Sequence, residues 1–152
     1  MMESKQIKNK KDLRNKFDAL LYILKECTRA LAVLCRLQQE EEEITKAMNS
    51  RCATGRGYGD TPILKQALIC LLCVRVKSLF DDNKRGISFK NFLKLKKNPI
   101  IKDMISTRNT WFAHMDRDIN KGISAREICD SDLKEQLENL ESLWVDIYLS
   151  NK

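Results

Sequence analysis

Leu13-Arg-Asn-Lys-Phe17-Asp-Ala-Leu20-Leu-Tyr-Ile-Leu24-Lys-Glu-Cys27-Thr-Arg-Ala-Leu31-Ala-Val-Leu34 is the stretch that decides the fold. Its apolar positions Leu13, Phe17, Leu20, Leu24, Cys27, Leu31 and Leu34 follow one another in alternating steps of four and three. That spacing keeps them on one side of an α-helix. A strand would instead alternate by two. A helix with so long an apolar stripe needs other helices to cover it.

The chain supplies them. Upstream, residues 1–10 are polar and basic and are expected to fray, with the helix beginning near Lys11. Past Leu37 the stripe gives way to Gln38-Gln39-Glu40-Glu41-Glu42-Glu43, read as a solvated extension of the same helix, and resumes weakly at Ile44 and Met48. Residues 50–60 form the main loop; its Gly55-Arg56-Gly57-Tyr58-Gly59-Asp60 lacks the lysine and hydroxyl ending of a phosphate-cradling loop. It reads better as a turn in which Arg51 and Arg56 can touch a nucleic-acid backbone and Tyr58 is exposed. Thr61-Pro62 then reads as a cap followed by proline at the first helical position. From Ala67 to Val74 the helix it opens is apolar almost all round, which suits the centre of a bundle.

After a turn at 81–86, Ser88 starts a short helix to about Lys97. Asn98-Pro99 restarts a helix expected to run to about Arg117, with a break at 118–122. Ser124 and Glu127 have capping-box spacing. The last helix, about Ser131 to Leu149, turns Leu133, Leu137, Leu140, Trp144, Ile147 and Tyr148 inward and Glu135, Glu138, Glu141 and Asp146 outward. The expectation is an all-α protein, an up-and-down bundle of four to five helices in a single domain over 1–152.

Composition agrees with a soluble globular chain, with 43% hydrophobic and 32% charged residues. A net charge of +7 favours a polyanionic partner, although it also serves solubility. Of the six cysteines, Cys27, Cys35, Cys70 and Cys73 lie in apolar helical runs, where a reduced thiol acts as a small hydrophobe. Cys70 and Cys73 have the spacing of a redox or zinc pair, but there is no second such pair and the lone histidine is elsewhere. Buried thiols, no apolar leader and no membrane-length apolar run lead to a cytoplasmic expectation, without a membrane partner.

Chemistry concentrates in Arg108-Asn109-Thr110-Trp111-Phe112-Ala113-His114-Met115-Asp116, which holds the only histidine. Ile101, Ile105, Phe112 and Met115 mark an apolar stripe on this helix, and Arg108 falls on it where a leucine is expected. A guanidinium there is costly without partners. An imidazole six residues on can exchange a proton near neutral pH. Six residues are a rise of about 9 Å and leave the two roughly 120° apart around the helix, so they flank one another. They can meet at one phosphate through a kink or across a two-fold axis.

The order Arg108-Asn109, then Ala113-His114 and Asp116, resembles the motif of the HEPN superfamily, in its abortive-infection branch. Leu79-Phe80-Asp81-Asp82 followed by Gly86-Ile87-Ser88-Phe89 is similar to that branch as well, so the resemblance spans about residues 75–118. It implies a metal-independent endoribonuclease of toxin or phage-defence type, a homodimer with a composite site, RNA as substrate and a cognate antitoxin as a possible partner. No cofactor and no metal are implied, in keeping with a sequence that has no carboxylate–histidine cluster. Where some relatives carry a modifiable tyrosine two residues after the histidine, this chain has Asp116.

On this reading Arg108, His114 and Asn109 are the catalytic residues, with Asp116 supporting the imidazole. Plainer roles stand beside these: an ion pair of Arg108 with Asp103 or Asp116, a hydrogen-bonded structural histidine, and packing for Trp111 and Phe112. Lys84, Arg85, Lys90, Lys94 and Lys97 form the densest basic segment, either a solvated face or a path for an RNA backbone. Arg75 and Lys77 are read as complements to the dipole of their own helix, with Arg75 also able to line the cleft. The alternative function is a non-catalytic helical module that binds RNA, nucleotide or a partner protein.

Overall fold

A computed structural model describes residues 2–49, 59–80, 99–113 and 123–150, with side chains over 14–48, 59–80, 99–109 and 123–150. Among the described residues every regular element is helical. In chain order they are α1 (Met2–Asn49), α2 (Thr61–Phe80), α3 (Pro99–Ala113), α4 (Ala125–Cys129) and α5 (Leu133–Ser150). None of these helices is long and apolar enough to cross a membrane.

The α1 stripe is the spine. Phe17, Leu20, Leu24, Cys27, Leu31 and Leu34 are all buried, together with Ala30. Each large side chain of this kind stabilises the fold by about 1.5–3 kcal/mol on burial. The helix starts at Met2, well before Lys11. The polar residues between them are good helix formers with no glycine or proline among them, so nothing stops the helix from extending backward. The acidic run continues the same helix, as its periodicity predicts, with one exception to solvation. Glu41 is half-buried and its Oε2 accepts from Lys65 Nζ of α2 at 2.9 Å. Ile44 is half-buried and Met48 exposed.

α2 packs between α1 and α3. Ile69, Leu72, Cys73, Val76, Leu79 and Phe80 are buried, and the helix is central, as its all-round apolar run predicts. Its start is displaced by one residue from expectation. Leu64 N donates to Asp60 O at 3.1 Å, so Asp60 occupies the cap position and Pro62 the second helical one. Gly59 precedes it at φ +55, a conformation that favours glycine. Arg75 reaches back to α1, with Nη2 at 3.1 Å from Glu26 Oε2, and so does more than complement a dipole.

α4 carries the expected capping box. Ser124 Oγ accepts from Glu127 N, and Glu127 Oε2 accepts from Ser124 N. α5 begins at Leu133 and buries Leu133, Leu137, Leu140 and Trp144 against α1, with Ile147 and Tyr148 half-buried. Trp144 Nε1 donates to Phe17 O at 3.3 Å, and the Phe17 ring stacks on Trp144 and Tyr148 at centroid distances of 5.4 and 4.1 Å. The outward carboxylates are exposed except Glu141, which is half-buried.

The thiols behave as hydrophobes. Cys27 and Cys73 are buried in the core. Burial, with the Glu26 carboxylate adding to it and Arg75 opposing, pushes Cys27 from 9.0 up to about 12. Burial, then Cys70, raises Cys73 to about 12. Because the unfolded thiol ionises near its ordinary value and the folded one does not, the unfolded state binds fewer protons above that pH. Stability is then fully present below pH 9 and is lost as the pH rises toward 12. The expected slope is about 1.4 kcal/mol per pH unit for each buried thiol. Urea titrations at stepped alkaline pH measure it, and Cys27→Ala removes one thiol's share.

Candidate functional site

The site grows out of the contact between α2 and α3. On α3, Ile101, Met104 and Thr107 are buried, while Ile105 and Arg108 are half-buried. The inward face therefore centres on Met104, rotated toward Thr107 from the stripe through Ile101, Ile105 and Arg108 that the sequence suggests. The physical reason is that Thr107 can satisfy its hydroxyl inside. Its Oγ1 accepts a hydrogen bond from Ile123 N at 3.1 Å. Arg108 lies at the edge of this face, where its long stem can be covered while the guanidinium reaches out.

That guanidinium reaches Asn109. Arg108 Nη1 donates to Asn109 Oδ1 at 3.2 Å, and Lys77 Nζ donates to the same oxygen at 3.1 Å. Two cations, one from each helix, thus converge on a neutral amide oxygen. An amide dipole offsets the repulsion between two like charges far less than an anion does, since the interaction scales with the charge placed between them. Chemically the arrangement can hold an anionic oxygen, such as that of a phosphate, where the amide oxygen now stands.

Of the residues singled out from the sequence, the structure brings Arg108 and Asn109 together. His114 follows directly on Ala113, the last residue of α3, and lies outside the described residues, as do Asp116 and Lys84, Arg85, Lys90, Lys94 and Lys97. The loop residues Arg51, Arg56 and Tyr58 lie outside them too, and so do the side chains of Trp111 and Phe112. Lys77 is the residue that sequence reasoning missed as part of the site. It stands thirty-two positions from Asn109, and no local spacing relates them. Only the packing of α2 on α3 does. Among the described residues there is no group of three His, Cys, Asp or Glu side chains placed to hold a metal ion.

No family model, curated protein or solved structure matches this chain.

The Thr107–Ile123 bond also fixes where the chain returns after the motif, because it joins the last turns of α3 to the residue before the α4 cap. Thr107→Val keeps the shape and strands the buried amide of Ile123. It is expected to lower stability by about 1–3 kcal/mol in urea denaturation, with Thr107→Ser close to wild type.

Proposed function

We propose that this chain is a metal-independent endoribonuclease of the HEPN type, acting as a homodimer in a toxin or phage-defence setting. The observation that supports it most is the convergence of Lys77 and Arg108 on Asn109 Oδ1, at 3.1 and 3.2 Å, within a motif that ends in the chain's only histidine. In this reading the scissile phosphate displaces the amide from the two cations. Arg108 and Lys77 then stabilise the added negative charge on the phosphoryl oxygens in the transition state. Asn109 turns to hold the phosphate or the imidazole in register.

His114 takes the proton from the ribose 2′-hydroxyl as that oxygen attacks phosphorus. The departing 5′ oxygen receives a proton, from the same imidazole or from His114 of the partner subunit. The products are a 2′,3′-cyclic phosphate and a 5′-hydroxyl end. Asp116 supports the imidazole, and the lysines at 84–97 guide the strand by its backbone. An antitoxin is the expected keeper of such an activity.

Labelled RNA incubated with the purified protein in a chelator tests this. Cleavage is expected, with Arg108→Ala and His114→Ala each lowering its rate about a hundredfold or more. Lys77→Ala is expected to cost about tenfold, and Asn109→Asp to raise KM by filling the space between the two cations with a competing carboxylate. Sedimentation equilibrium reports the dimer. RNA bound but left intact by the wild type shifts the reading to a non-catalytic helical module.

A further inference from the structure

A second polar surface lies on α1 and the far side of α2. Between the two helices runs an open cavity of about 390 Å³, with Tyr22, Lys25, Glu26 and Arg29 on one wall and Leu68 and Leu71 on the other. Leu68 and Lys77 are nine residues apart on one helix, which puts them about 180° from one another around it. The cavity therefore does not share the face that carries Lys77 and Asn109.

Its chemistry is mixed in a particular way. Tyr22 is 68% exposed, an unusual position for an aromatic ring that stands beside two leucines. Lys25 and Arg29 are exposed one helical turn apart on the same side, about 6 Å along the axis. Glu26, between them, faces Arg75 at 3.1 Å. Its buried Oε2 nevertheless has no aligned hydrogen bond among the described residues. Arg75 thus neutralises the carboxylate without using up its capacity to accept.

A ligand that satisfies all of these has a flat apolar ring, an N–H donor on the ring's edge and an anionic group a few ångströms away. A simple anion leaves Tyr22, Leu68 and Leu71 unused, and a hydrocarbon leaves Lys25 and Arg29 unused. We propose that this cavity binds a single nucleotide unit. The base lies against the Tyr22 ring over Leu68 and Leu71, the phosphate bridges Lys25 and Arg29, and the base edge donates to Glu26. Stacking on an aromatic ring and a pair of cations for the phosphate are the two contacts that recur wherever unpaired nucleotides are held. The volume is that of a one-ligand pocket. This site stands on its own geometry and does not depend on the ribonuclease reading.

Calorimetric titration of the full chain with GMP, guanosine and inorganic phosphate tests it. GMP is expected to bind more tightly than either guanosine or phosphate alone. Tyr22→Ala is expected to weaken GMP about tenfold without changing the melting temperature, since the ring is exposed. Replacing Lys25 and Arg29 together with alanine is expected to abolish the advantage of GMP over guanosine, while Lys77→Ala leaves all three titrations unchanged. Competition by a short single-stranded RNA identifies the source. Displacement of GMP at lower concentrations than GMP itself requires assigns the cavity to a strand, and displacement only at higher ones assigns it to a free nucleotide. The proposal is overturned by the absence of saturable GMP binding, by guanosine binding as tightly as GMP, or by Tyr22→Ala binding GMP like the wild type.

Discussion

The structure depends on one face of one helix. The residues from Phe17 to Leu34 that point inward from α1 give α2, α4 and α5 their principal surface, and α3 joins the assembly through α2. The closing contact is made by the Trp144 indole, which is 1% exposed, stacks on Phe17 and donates to its carbonyl across 127 positions of sequence. A buried indole N–H without an acceptor is costly, so this bond fixes the register of α5 along α1 as well as its distance.

Most of that architecture is legible in the sequence, because it rests on periodicity. The steps of four and three in α1, the all-round apolar run of α2 and the leucines of α5 each name their buried positions in advance. The capping box at Ser124 is legible for another reason, since both its hydrogen bonds close within one turn. Local chemistry at helix ends is less determinate. The α1 start differs because polar helix formers give no stop signal, and the α2 cap shifts by one because Asp60 and Thr61 are both good caps.

The candidate site divides along the same line. Arg108 and Asn109 are visible as neighbours with an unusual cation on an apolar helix. Thr107 is not, because its burial is decided by a partner sixteen residues away that no pattern couples to it. Lys77 is hidden in the same sense. Its role follows from which faces of α2 and α3 meet, and a lysine near a helix end has an ordinary explanation that sequence reasoning prefers. The two-cation arrangement is thus a product of packing, while the histidine that gives the motif its meaning is a product of sequence.

The length of α1 has a hydrodynamic consequence. Its 48 residues reach about 72 Å, against about 30 Å for the 20 residues of α2. A rod more than twice as long as the helices packed against it makes the particle prolate. Such a particle drags like a heavier sphere, so a gel-filtration column assigns a single copy of this chain an inflated mass that resembles a pair. Frictional ratio and true mass separate here, and only methods that measure mass independently of shape count the subunits.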